Sequence, residues 1–329
     1  MLNKKMPKIT VIVLTYNHEN FIAQALDSIL MQFGHFSLEI LVSDDMSLDN
    51  TRLIITKYSL KYAELIKDIS SDNIKLGISN NYKKCISKAT GDYVAILEGD
   101  DYWIDSNKLE KQLQLINANK HCKFVFSSVY ISDDQKFANA TNQDIDKSYL
   151  TYKDFLYNPD RNLVINLSSC LIDKDILQNI PEEIYEYRFS EIPLVYYFLQ
   201  KGVVGFCKTP LSVYRIHQNG VWNGKSDTDK LISAFMCRFV AIKVASPKCK
   251  INLYFVLKSK YYKYLINYCN MEEKVQELES YMRFICFKFF YYTIFLLVKK
   301  TIKSIKTNGI CITLKKLKKI IFYKKKVKK

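Results

Sequence analysis

The stretch Asp92–Trp103, DYVAILEGDDYW, begins as a strand and ends in a cluster of acids. Tyr93–Leu97 is an apolar run of strand length, and it leads directly into Glu98, Gly99, Asp100 and Asp101, with Tyr102 and Trp103 behind them. Strands ordinarily end in neutral turn formers. Carboxylates packed this closely repel one another unless a cation sits among them. Hard oxygen donors suit Mg²⁺ or Mn²⁺, ions that commonly share their shell with a substrate phosphate. Taken alone, the cluster reads better as a solvated turn whose aspartates cap the next helix.

The segments around it decide between these readings. Upstream, KITVIVL (residues 8–14) is a β-branched strand followed by Thr15, Tyr16 and Asn17, and a helical period then runs through Ile22, Leu26, Ile29 and Phe33. A second strand, LEILVSDD, ends in Asp44 and Asp45, and SLDNTRLIITKY starts as a helix with Ser47 or Asp49 as its N-cap. NIKLG reads as a short strand and Asn80–Ala89 as a helix; after Trp103, SNKLEKQLQLINAN reads as a helix and CKFVFSSVYI as a strand. Strands alternating with helices predict an α/β fold, a Rossmann-like and mostly parallel sheet with helices on both faces. Ligands bind such sheets off the carboxyl ends of the strands. Three polar clusters, Thr15–Asn17, Asp44–Asp45 and Glu98–Asp101, then gather at one edge, and their convergence favours the metal–diphosphate reading. No Gly-x-Gly-x-x-Gly follows the first strand and no Gly-Lys-Ser/Thr loop exists, which argues against a dinucleotide-dependent dehydrogenase and a P-loop NTPase.

Composition sets the outer bounds. The 329 residues suffice for one large domain with an appendix, and 9 Gly with 6 Pro argue against a linker-rich chain. Nine cysteines, odd in number and never spaced Cys-x-x-Cys, fit free thiols in a reducing cytosol better than disulfides or zinc. The net charge of +16 is concentrated in the tail, because no Asp or Glu follows Ser280 while Arg283, Lys288 and a dense series of lysines do. The main body is close to neutral.

Four segments, ITVIVLTYNHENFIAQALDSIL, EILVSDDMSLDNT, GDYVAILEGDDYWIDSNKLEKQ and LSVYRIHQNGVW, together resemble the family 2 glycosyltransferases, inverting enzymes of the GT-A fold. The resemblance covers about residues 7–223. It implies a nucleotide pocket lined by Tyr16 and Asn17, with Asp45, and Asp44 beside it, on the base. Asp100 and Asp101 match the family's acidic metal motif, and Asp101 or Asp100 would bind the cation on the diphosphate. Glu98 stands where Asp is commoner. The catalytic base of the family maps to Glu191 in RFSEIPLVYYFL, where Asp has become Glu. The alternative for Glu191 is an ordinary helix-capping glutamate. YRIHQNGVW adds Arg215 as a donor contact and His217 as a third metal ligand or a diphosphate contact, with Trp222 as a sugar shelf. His18, His35 and His121 match no family role.

The expected organisation is a catalytic domain over residues 1–225, a helical extension over 226–282 and a basic amphipathic tail over 283–329. Phe289–Val298 is too short to span a bilayer, which needs about 20 residues. Lysines interleaved with Ile, Leu, Phe and Tyr suit an interfacial helix drawn to anionic lipid, more than a nucleic-acid arm, and no nucleic acid partner is expected. A tail docked on the catalytic core is the other alternative. The combined expectation is a cytoplasmic enzyme peripheral to the inner face of the cell membrane, using a nucleotide-sugar donor, UDP-linked, and a carbohydrate or lipid-linked acceptor for surface polysaccharide or glycolipid. Its rivals are a nucleotidyltransferase on a related fold, attacking the α-phosphate, and a non-catalytic polybasic RNA- or membrane-binding protein.

Overall fold

The structure is a computed structural model, and it describes residues 6–133, 136–157, 161–218, 220, 225–247, 249–250 and 253–257. All of these fall in the first of two compact units, Met1–Lys260. Trp222 and the tail over residues 283–329, with the expectations placed on them, lie outside the described residues. Among the described residues no helix is long and apolar enough to cross a membrane.

The strands are β1 (Lys8–Thr15), β2 (Ser37–Asp44), β3 (Ile66–Asp68), β4 (Tyr93–Glu98), β5 (Tyr102–Trp103), β6 (Cys122–Asp133), β7 (Lys136–Phe137), β8 (Tyr149–Leu150), β9 (Leu171–Asp173) and β10 (Val203–Ile216). The helices are α1 (Ile22–Leu30), α2 (Thr51–Lys61), α3 (Gly77–Lys88), α4 (Lys108–Ala118), α5 (Tyr152–Tyr157), α6 (Lys174–Gln178), α7 (Glu191–Phe198) and α8 (Asp227–Val244). The sheet order is β3-β2-β1-β4-β9-β6-β10-β5, with β7 on β6 and β8 on β10. Pairs β1–β2, β1–β4, β2–β3 and β6–β10 are parallel, while β9 runs antiparallel to both β4 and β6. Pro210 cannot donate to the ladder, and the β6–β10 register shifts on both sides of it.

Both faces of the sheet are covered, as the near-continuous apolar strands demand. Ile9, Val11 and Val13 of β1 pack with α1, α2 and α4 on one face. Ile12 and Leu14 pack with α3, α6, α7 and α8 on the other. Burying each such side chain contributes about 1.5–3 kcal/mol. With apolar residues on both faces, hydrophobicity alone does not fix the register. A polar pin at the far edge does: Thr10 pairs with the buried Glu39. Glu39 accepts from Thr10 Oγ1 at 2.8 Å, Lys67 Nζ at 3.0 Å and Thr90 Oγ1 at 2.8 Å. Burial would raise its carboxyl, but these donors hold it at about 2. The same register sets Thr15 beside Asp44 and Leu14 beside Glu98, so the polar strand ends align at one edge.

Two local expectations need correction. NIKLG forms no strand; it is the approach to α3, and the third parallel strand is Ile66–Asp68. Neither Ser47 nor Asp49 occupies the N-cap of α2, which is Asn50. Asp49 instead accepts from the Thr51 backbone N–H, and the Ser47 hydroxyl donates to Asp44.

Candidate active site

Gly99 explains the opening stretch. A Cβ there would lie 2.8 Å from Thr15 Oγ1 and 3.0 Å from His18 Nδ1. Only glycine lets the end of β4 approach the β1 loop so closely. The two acids that follow then point to different places.

Asp101 is fully buried. Its carboxylate accepts from Asn166 Nδ2 at 2.7 Å, Ser168 Oγ at 2.6 Å and the Arg215 backbone N–H at 3.0 Å. Burial and the neighbouring Asp100 and Glu98 push its carboxyl well above the usual range. Every contact of this carboxylate ties β4 to β10 and to the turn before β9. Of the two aspartates expected at the metal, Asp101 is the one whose carboxylate meets internal donors.

Asp100 faces the cleft. Its Oδ2 lies 3.1 Å from His217 Nε2 and 3.7 Å from His18 Nε2. Burial alone would raise its carboxyl; the His217 hydrogen bond and the two imidazoles hold it below the usual value. One ligand atom from each of His18, Asp100 and His217 lies within 4.8 Å of the others. His18 Nδ1 is buried with no hydrogen-bond partner, and burial lowers the pKa of this imidazole, favouring the neutral form that ligates metals. The His18 Nε2 beside the Asp100 carboxylate, with the His217 imidazole, gives a donor set that fits a divalent cation with mixed nitrogen and oxygen ligands. His217 was expected there; His18, which matches no family role, stands with it.

The other residues divide. Thr15, Tyr16, Asp45, Glu98, Asp100 and Arg215 line a cavity of about 140 Å³, together with His18, Asn81, Tyr82, Arg188 and Tyr214. Asp45 closes one end, accepting from the backbone N–H groups of Leu76 at 2.8 Å and Gly77 at 3.0 Å. Asn17 and Asp44 do not line this cavity. Asn17, at φ 55°, binds the β2 loop through Ser47 and Leu48, and Asp44 turns the same loop by accepting from Ser47. Arg215 reaches the cavity, but its guanidinium donates to the Asp100 carbonyl and to Gln24.

A second cavity, of about 360 Å³, adjoins the first: Glu98, Arg188 and Tyr214 line both. Glu191, the first residue of α7, stands in its wall with Asn162, whose Nδ2 donates to Oε1 at 2.8 Å. Burial pushes the Glu191 carboxyl up, against the pull of Arg188. Burial and Asp100 push Glu98 to about 7. A buried carboxyl with a raised pKa facing a substrate-sized cavity is suited to proton transfer. Sequence reading missed Arg188, Asn162, Tyr82 and Tyr214. Arg188 lies within the quoted RFSEIPLVYYFL, three residues before Glu191, and that proximity was the one available signal.

Comparison with known proteins follows this geometry. The family profile described as Glycosyl transferase family 2 matches residues 10–180. TuaG of Bacillus subtilis, named as a teichuronic acid biosynthesis glycosyltransferase, is 30% identical over 226 residues, covering 67% of this chain and 83% of TuaG. The chain spans about 60% of the length of mycobacterial relatives that it matches at 28% identity over 224 residues. S. aureus TarS in complex with UDP superposes with a TM-score of 0.56 at 17% identity, over 78% of this chain and 72% of that one. The mannosyltransferase PcManGT of Pyrobaculum calidifontis, in complex with GDP-Man and Mn²⁺, gives a TM-score of 0.56 at 17% identity, over 84% and 74%. At those identities the structural likeness speaks to the fold.

Proposed function

The chain belongs to glycosyl transferase family 2, and from that premise we propose that it moves a sugar from a nucleoside-diphosphate donor to an acceptor hydroxyl, with inversion. The observation that carries the proposal is the pair of adjoining cavities sharing Glu98, Arg188 and Tyr214. The smaller takes the donor, its nucleoside toward Tyr16 and Asp45 and its diphosphate toward Asp100. The larger takes the acceptor, its hydroxyl toward Glu191. Inversion requires the acceptor to approach opposite the leaving group, and two pockets meeting at one wall suit that approach.

Asp100, His217 and His18 would hold the cation, Mg²⁺ or Mn²⁺, which when bound supplies Lewis-acid stabilisation of the diphosphate. Glu191 takes the acceptor proton; Asn162 fixes the direction of its carboxylate. Asp101 carries no chemistry and fixes the strand end that presents Asp100.

Among nucleotides, a UDP-linked donor has the UDP complex of TarS as its support, while PcManGT is seen with GDP-Man. The acceptor is a carbohydrate or a lipid-linked sugar of a surface polysaccharide, a class that the name of TuaG also supports. The lysine-rich tail after Ser280 would hold the enzyme on anionic membrane at the cytoplasmic face; cosedimentation with anionic vesicles, lost on truncation of the tail, checks this. The principal experiment is a calorimetric screen of UDP-, GDP-, dTDP- and CDP-sugars with Mn²⁺ present, followed by product analysis. Binding of one of them and release of nucleoside diphosphate is the expected result. Release of pyrophosphate would instead indicate nucleotidyl transfer, and failure of every nucleotide sugar to bind would sink the proposal.

A further inference from the structure

Two guanidinium groups reach the smaller cavity, Arg188 and Arg215. Arg215 is fully engaged: it donates to the Asp100 carbonyl and to Gln24 Oε1, and it lies over the Phe21 and Tyr102 rings at 5.1 and 4.3 Å. Arg188 is not. Its Nε is buried without a hydrogen-bond partner, and no ion pair within 4.0 Å joins it to an acid among the described residues. The acids that act on it from further away are Glu98 and Glu191, and against burial they hold its pKa above the usual value, so the group is a cation. A largely buried guanidinium with an N–H that has no acceptor and with no close ion pair has donors left for the oxygens of a ligand. It stands where the two cavities share a wall, with Glu98 and Tyr214.

We propose that Arg188 binds the phosphate group that departs from the donor. This rests on the smaller cavity being the donor pocket. In the transfer, the acceptor oxygen bonds to the anomeric carbon while the bond from that carbon to the phosphate oxygen breaks. The electron pair of the broken bond stays on the phosphate, and the acceptor proton passes to Glu191. The leaving group thus gains one negative charge beside Arg188. A guanidinium presents parallel N–H donors that match two phosphate oxygens, which an ammonium cannot do. Because the charge grows during the step, Arg188 stabilises the transition state more than the bound donor.

The test uses the full chain with Arg188→Gln and Arg188→Lys. Calorimetry with UDP, GDP and inorganic pyrophosphate, in excess chelator, reads the anion contact without turnover. Arg188→Gln is expected to weaken pyrophosphate and the bound nucleoside diphosphate roughly 10- to 100-fold. Arg188→Lys, which keeps the charge and loses the fork, should recover part of that. With the donor found by the screen, kcat should fall more than donor KM rises. The melting temperature of Arg188→Gln should hold, since the substitution removes no hydrogen bond or close ion pair of Arg188 among the described residues. Unchanged pyrophosphate and diphosphate binding overturns the proposal, including the case in which only the acceptor KM moves, which would put Arg188 on an acidic acceptor. A sharp loss of melting temperature in both variants also overturns it, by making Arg188 structural. A wild-type protein that binds no nucleoside diphosphate, in Mn²⁺ as well as in chelator, overturns the donor-pocket reading and the proposal together.

Discussion

Asp101→Ala is expected to act on stability, although its sequence position suggests a metal ligand. The carboxylate accepts three hydrogen bonds, from Asn166 Nδ2, Ser168 Oγ and the Arg215 backbone N–H, and it is fully buried. Alanine leaves three buried donors without an acceptor, at about 1–3 kcal/mol each. Part of this is returned, because burial beside Asp100 and Glu98 already disfavours the ionised carboxylate. A net loss of roughly 2–5 kcal/mol remains, and at about 2–4 °C per kcal/mol for a domain of this size the melting temperature should fall by on the order of 10 °C. Asp101→Asn, which keeps the volume and one acceptor oxygen, should fall in between. Asp100→Ala should behave differently: its carboxylate meets the two imidazoles, so the variant should lose cation binding with a smaller change in melting temperature. Thermal melts followed by circular dichroism, paired with Mn²⁺ calorimetry, separate the two residues. An Asp101→Ala protein that melts within about 2 °C of wild type yet no longer binds Mn²⁺ would refute the reasoning, since its carboxylate would then face the cation.

Glu191→Gln should retain donor binding and lose transfer by about 10²–10⁴-fold, as measured by steady-state kinetics with the identified donor. Because Glu191 must be ionised to accept a proton and burial raises its pKa from 4.5, wild-type kcat/KM should rise with pH along a limb displaced above 4.5. The stability that the raised pKa confers is fully present below pH 4.5 and lost as pH rises through the folded-state value, so Glu191→Gln should gain melting temperature over wild type only on the alkaline side. His18→Ala and His217→Ala should each weaken Mn²⁺ by roughly tenfold or more, equivalent to about 1.4 kcal/mol, in a direct calorimetric titration; wild-type affinity in both would reduce the triad to a hydrogen-bond cluster.

The sheet was largely legible because its strands are long, apolar and separated by periodic helices. KITVIVL, LEILVSDD and YVAIL fall within β1, β2 and β4 apart from a residue or so at the ends. β3 was not legible, because three residues carry too little periodicity to mark a strand. In the site, runs of like charge announced themselves: Asp100, Asp101 and Glu98 were found as a cluster. What the pattern could not give was direction, since two adjacent aspartates look alike in sequence while one is bonded inward and the other faces a cleft. His18 was invisible for a related reason. A lone histidine in a loop gains meaning only when the fold brings Asp100 and His217 to it, and they lie far away in the chain.

That difference of direction also says why the stretch needs both aspartates. The β1 register with β4 ends at Glu98, and one further backbone bond, from the Gly99 N–H to the Leu14 carbonyl at 2.8 Å, keeps Gly99 within contact of Thr15 and His18. Asp101 extends that hold beyond the glycine, since its carboxylate ties the chain to the backbone of Arg215 on β10 and to the turn carrying Asn166 and Ser168. Ser168 also accepts from the Glu98 backbone N–H at 3.0 Å, so one hydroxyl fixes both sides of the glycine. Arg215 completes the loop by donating to the Asp100 carbonyl. Asp100 is thereby clamped at its carbonyl and by its successor, and its side chain has one direction left, toward the imidazoles. The buried acid is costly in itself, and its position is what gives the cleft a carboxylate held in one place.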